Sequence, residues 1–249
     1  MSDVVVEPAD VDIPAKSFPE RLIGIFISPA GTLADVARKP DFIAPLIAGV
    51  LGAIAVTETM LWKIGMERIV RMSIEQSGRA SSMSPEQMDQ AVRQGARIGG
   101  IFAHIGGIVV VPISLLILAG LGLLIVNLIF GAKAKFKTVF SLICYANLVS
   151  LLGSLMAVAV ILFGDPDHFN AQNPVPANVG FFLNPLEVSK SLYALASSAD
   201  IFTIWLLILI AMGLSEATER KVKPLSIFLA FAGLWMIWIL GKVGLAFMR

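Results

Sequence analysis

The stretch "IGGIFAHIGGIVVVPISLLILAGLGLLIVNLIFGA", residues 98–132, decides the fold, because its 35 residues include no Asp, Glu, Lys or Arg. A membrane-spanning helix needs about 20 consecutive apolar residues, so this run crosses a bilayer once with length to spare. It is too short for two full crossings. It therefore reads as a single long helix over residues 101–130, kinked at Pro112. A second uncharged run, residues 138–164, has the same meaning. Composition agrees: 57% of the 249 residues are hydrophobic and 15% charged, against roughly 45–50% and 25% in ordinary soluble domains. The expected class is all-α, a polytopic membrane helix bundle in contact with the lipid bilayer.

Working outward gives five spans, at about residues 42–62, 101–130, 138–163, 196–215 and 225–247. Asp41 is the expected N-cap of the first, with Pro45 tolerated near its start. The fourth is short, since only 15 uncharged residues separate Asp200 from Glu216. An earlier start, capped within Ser197–Asp200, would lengthen it. Pro224 opens the fifth, which carries Trp235 and Trp238. Residues 1–16, "MSDVVVEPADVDIPAK", are acidic and proline-broken, and read as a disordered cytoplasmic tail rather than a cleavable signal. Residues 17–247 form the membrane domain.

Short loops orient the bundle. The links "GAKAKFK" (131–137) and "ERKVK" (219–223) carry three basic residues each, and Lys16, Arg21, Arg38 and Lys39 precede the first span. Loop 165–199 carries only Lys190 against Asp165, Asp167 and Glu187. This puts the N-terminus in the cytoplasm and the C-terminus outside, in a cytoplasmic (inner) membrane. Loop 63–97 opposes the assignment with six basic residues, diluted by four carboxylates. In that loop Ile64, Ile69, Met72 and Ile74 extend the first helix past the bilayer. "RASSM" (79–83) turns, and Ser84-Pro85-Glu86-Gln87 caps a new helix whose face runs through Met88, Val92 and Ala96. A projecting helical hairpin is expected; a loose charged loop is the plainer alternative.

Before the first span, "RLIGIFISPAGTLADVARKPDFIAPL" (21–46) forms an amphipathic preamble. Phe18, Leu22 and Phe26 recur at i, i+4 and i+8, with Ile23 and Ile27 beside them, while Glu20 and Arg21 point elsewhere. Ser28-Pro29 restarts a helix whose apolar side continues through Leu33 and Val36, and Arg38-Lys39 close it before Pro40. Such a stripe lies on the bilayer surface or packs under the bundle. Phe18, Leu22, Phe26 and Leu33 are the candidate contacts to membrane surface or partner.

That segment, followed by the long second span, "FKTVFSLICYANLVSLLGSL" (136–155), "ANVGFFLNP" (177–185) and "LASSADIFTIWLLILIAMGLSEAT" (195–218), resembles the Yip family. The family is named for interaction with Ypt/Rab small GTPases, and the likeness is closer to its bacterial branch. It covers residues 17–247, with order and spacing carrying more weight than any one motif. The resemblance implies five spans and a cytoplasmic N-terminus. Eukaryotic members look like trafficking scaffolds, yet no GTPase-binding residue can be matched to a position here, and the family brings no catalytic residues.

Intramembrane ionisable groups are the default functional candidates. Glu58, Asp200 and Lys242 come out at similar depth in the outer half of the bilayer, about 22–27 Å along their helices at about 1.5 Å per residue. Two readings stand: Lys242 pairs with Glu58 or Asp200, or each charge reaches the headgroups separately. His104 has no second ligand at metal spacing, so no metal is expected. Cys144 reads as a structural thiol. Asn127 and Asn147 read as interhelical hydrogen-bond partners. Ala48-x-x-x-Gly52, Gly49-x-x-x-Ala53, Ser150-x-x-x-Ser154 and the pairs Gly99-Gly100 and Gly106-Gly107 mark close helix packing, within or between protomers. Neither a nucleophile–base pair nor a nucleotide loop occurs, so neither an enzyme nor a cofactor is expected. A net charge of +1 without a basic stripe argues against nucleic acid. The expected function is a membrane scaffold or accessory protein supporting an export or trafficking complex. Its expected partner is a membrane protein, by family analogy an ABC-type exporter, or a second copy of itself. The alternative is a small transporter or channel using the outer-leaflet charges.

Overall fold

The computed structural model describes residues 14–165 and 170–247, and most of the expected tail, like His168, lies outside them. Among the described residues every regular element is a helix. The preamble forms α1 (Phe18–Ile27) and α2 (Pro29–Arg38). The first span is α3 (Ile43–Lys63), followed by α4 (Met66–Gln76). The long run becomes α5 (Pro85–Leu123), continued by a π-helical turn over Leu124–Ile129. Then come α6 (Phe136–Ala146), α7 (Val149–Phe163), α8 (Lys190–Ala196), α9 (Ile201–Ala217) and α10 (Pro224–Phe247). Four stretches are long and apolar enough to cross a membrane: Ile43–Lys63, Pro85–Ile129, Phe136–Phe163 and Pro224–Phe247. A fifth crossing requires α8 and α9 together, bent by 47° at their junction.

Several elements differ in detail from the sequence expectation. The first helix ends at Lys63 rather than running on through Ile64–Ile74. Gly65, at φ 85°, breaks it, and α4 starts anew. The glycine is there because that backbone conformation disfavours a Cβ. Asp41 does not cap α3, whose N-cap is Phe42; its carboxylate is used elsewhere. The third span is broken at Asn147–Leu148 into α6 and α7. The fourth does not start early: Asp200 is the N-cap of α9, accepting from the Phe202 and Thr203 N–H groups at 2.8 and 3.1 Å. Asn127 bonds no facing helix. Its amide clasps Ala134, donating to the carbonyl at 3.0 Å and accepting from the N–H at 2.8 Å, so it holds the α5–α6 link.

The hairpin forms as expected. Ser84 accepts from the Gln87 N–H, the Gln87 side chain returns to the Ser84 N–H at 2.9 Å, and Pro85 occupies the first turn. An Arg71–Asp89 ion pair of 2.7 Å ties α4 to α5. Small residues set the spans close. A Cβ on Gly52 would lie 2.8 Å from Leu151 and 3.2 Å from Ser154, so α3 and α7 meet through the Ala48/Gly52 and Ser150/Ser154 motifs. Of the glycine pairs in α5, Gly99 faces Met66 and Gly107 faces Ala53–Ile54, while Gly100 and Gly106 have open space.

The core centres on α6. All residues from Val139 to Ala146 are buried, as expected of a helix apolar on every side. Around it lie α1, α2, α3, α5 and α9. The outer surface of α3, α5 and α10 is lined by exposed Leu, Ile, Phe and Trp side chains, the lipid-facing skin of the bundle. Chain direction gives the molecule two ends. One carries the preamble and the links after α5 and α9; the other carries the α4–α5 hairpin, α8 and the loop before it.

Candidate functional site

At the preamble end, local chemistry first builds α1. The Ser17 N–H and hydroxyl both donate to Glu20 at 2.7 Å, closing a capping box. Ser28 ends the helix and Pro29 starts α2, giving a helical V. The V closes tightly because Gly24 faces Thr32, where an added methyl group would collide with the hydroxyl.

This geometry turns Arg21 inward, where it is 1% exposed. Its Nε donates to Asp35 at 2.8 Å, one Nη to the Lys39 carbonyl at 3.0 Å, and the other to Asp41. The Tyr145 ring of α6 lies 5.5 Å from the guanidinium carbon, and the Tyr145 hydroxyl donates to Asp41 at 3.0 Å. Asp35 also accepts from Arg38 at 2.7 Å and from the Lys16 N–H at 3.1 Å. Two cations and two carboxylates thus lock α1, α2, the 39–41 link and α6 together. Burial alone would raise the Asp35 carboxyl, but the hydrogen bonds from Arg38, Arg21 and Lys16 outweigh it and hold the group below its ordinary range. Burial likewise opposes charge on Arg21, and its contacts with Tyr145 and Asp35 outweigh that cost, raising its pKa further.

The expected preamble contacts lie on the bundle side of the same V. Leu33 is fully buried, and Phe18, Leu22 and Phe26 are half-buried against the core. Phe18 stands 6.4 Å from Tyr145, and Phe26 meets Trp205 of α9 edge-on at 5.9 Å. The outward apolar residues are Ile23 and Ile27, 58% and 78% exposed. Arg21, set aside by the periodicity as solvent-facing, is the residue that sequence reasoning missed. Its signal was two aspartates, 14 and 20 positions on, one inside α2 and one in the link just after it.

The three intramembrane charges do not meet. Glu58 pairs with His104 Nδ1 at 2.6 Å, joining α3 to α5. Asp200 is occupied capping α9 and accepting from the Thr203 hydroxyl at 2.5 Å. Lys242 donates to the Ser198 and Ser197 hydroxyls at 3.2 and 3.4 Å and lies 5.5 Å from the Trp238 ring centre. Of the two sequence readings, the pairing is not the one seen: no ion pair of Lys242 with Glu58 or Asp200 is formed among the described residues, and each of the three has a partner of its own. Among the described residues no three His, Cys, Asp or Glu side chains converge on a metal-sized site.

Apolar helices of spanning length around a buried hub, with a docked amphipathic preamble, define a polytopic helical membrane protein. Residues 23–243 match the family model of the Yip1 domain, and the chain belongs to that family. No curated protein and no solved structure matches it.

Proposed function

We propose that this Yip1-domain protein is a non-enzymatic membrane scaffold whose working surface is the outer face of its preamble. The observation that carries the reading is the buried Arg21–Asp35–Asp41–Tyr145 lock. A segment serving only as a loose anchor needs no such network, whereas a docking platform benefits from a fixed geometry that presents Ile23 and Ile27 outward. The partner is a membrane protein seated at the same end of the bundle; an export complex of the ABC type is the candidate by family analogy, and a second copy of this chain is the other.

The chain makes five crossings, counting α8 and α9 as one broken span, in a cytoplasmic membrane of the bacterial branch. The preamble end faces the cytoplasm and the C-terminus the exterior. Support comes from Lys133, Lys135, Lys137, Arg220, Lys221 and Lys223 in the links at the preamble end. At the other end the Arg71–Asp89 pair offsets part of the opposing positive charge. The scaffold is preferred over a transporter because Glu58, Asp200 and Lys242 form no ion pair with one another among the described residues.

The test is site-specific photocrosslinking from positions 23 and 27 in native membranes. The scaffold reading expects one protein captured from both positions, with co-purification lost on Ile27→Asp. Crosslinks to lipid alone would contradict it.

A further inference from the structure

At the end opposite the preamble lies a cleft of about 1050 Å³ between α4, α8 and α10. Its walls differ. Ser73 and Gln76 of α4 and the turn that follows supply a polar wall, while Trp238, Gly241 and Leu245 give one face of α10. Trp238 and Leu245 are about three-fifths exposed, at 59% and 60%, so the apolar wall runs straight onto the lipid-facing skin. Gly241 leaves open space beside the helix.

Three cations line the cleft: Arg79, Lys190 and Lys242. No carboxylate lines it among the described residues. Lys190 donates to the Ser77 carbonyl at 3.2 Å, which brings its ammonium beside the turn bearing Arg79 and leaves it further donors. Lys242 has two serine hydroxyls and an aromatic face as its described partners, and none of these is negative. A lysine near the hydrocarbon boundary without a counter-charge is costly. An anion entering the cleft supplies that counter-charge and takes charge-assisted hydrogen bonds from all three side chains. The apolar wall favours an anion that carries a hydrocarbon chain.

We propose that this cleft is a binding site for a phosphate-bearing anion, with the headgroup of an anionic phospholipid as its source. The phosphate sits among Arg79, Lys190 and Lys242, and an acyl chain follows α10 past Trp238 and Leu245. The site is independent of the preamble and of the scaffold reading.

The experiment uses the full chain in nanodiscs of mixed phosphatidylglycerol and phosphatidylcholine, released into the gas phase for native mass spectrometry. The expected result is retained phosphatidylglycerol, with little phosphatidylcholine. Retention should fall about tenfold for each charge-assisted bond removed. Arg79 and Lys190 are exposed, so R79Q/K190Q keeps the fold even if K242Q does not; a Tm within error of the parent verifies this. Millimolar inorganic phosphate added beforehand separates the sources. Lipid retention unaffected by it assigns the site to the headgroup, and displacement assigns it to free phosphate. Equal retention of both lipids, or undiminished phosphatidylglycerol on R79Q/K190Q, overturns the proposal.

Discussion

Arg21 concentrates the energetics of the preamble end in one side chain. Truncating one partner of a buried ion pair leaves the other charges uncompensated and costs about 3–5 kcal/mol. Arg21→Ala is therefore expected to lower the Tm in detergent far more than substitution of exposed Arg220, whose surface pair with Glu216 is screened by solvent. Arg21→Lys should recover little, because an ammonium cannot reach Asp35, Asp41 and the Lys39 carbonyl together. Tyr145→Phe keeps the ring and removes one bond to a carboxylate, an expected loss of about 1.5–3 kcal/mol. The pH dependence follows from Asp35. A carboxyl held low in the folded state stabilises the fold above its unfolded pKa, about 3.9. That contribution drains as pH falls through the lower folded value. Preamble docking should thus stay constant from neutral pH down to about 5 and weaken below about 4. Thermal melts of the parent and Asp35→Asn across that window check it: the variant should be destabilised at neutral pH and show a smaller acid-side decline, the capping carboxylate of Glu20 supplying part of the remainder.

At the scale of elements, the two kinds of glycine in the spans predict opposite outcomes. Gly52→Val forces a side chain against Leu151 and Ser154 and should cost about 1–3 kcal/mol. Gly106→Ala meets open space and should be neutral or gain up to about 1 kcal/mol from helix propensity. If melts show Gly106→Ala to be as damaging as Gly52→Val, that face is covered by another chain. The long run at 98–132, the Ser84 capping box and the small-residue motifs of α3 and α7 were legible because each is written within one continuous stretch of chain. The breaks at Gly65 and Asn147 were not. A break inside a hydrophobic run depends on what packs across it: a Cβ on Gly49 would lie 3.2 Å from the Asn147 amide, so Gly49 gives that side chain room. The start of α9 was misplaced because Ser197–Asp200 reads as a capping box for an earlier start, whereas Asp200 itself is the N-cap.

For the whole molecule, the family and the membrane class could be read from the chain, whereas the site could not. Amphipathic periodicity sends charge outward by default, which hid Arg21. Its burial becomes favourable only when α2, the 39–41 link and α6 assemble around it. Depth arithmetic placed Glu58, Asp200 and Lys242 at one level but carried no information on rotation about the helix axes, so it could not name their partners His104, Thr203 and Ser198. The central claim is that the preamble is locked beneath the bundle rather than adsorbed to lipid. Hydrogen–deuterium exchange in nanodiscs tests it most directly, comparing the parent with Arg21→Ala. The account predicts α1 and α2 amides protected in the parent and exchanging orders of magnitude faster in the variant, with α5 and α6 unchanged. Fast exchange of α1 and α2 in the parent, or equal protection in both proteins, would contradict it.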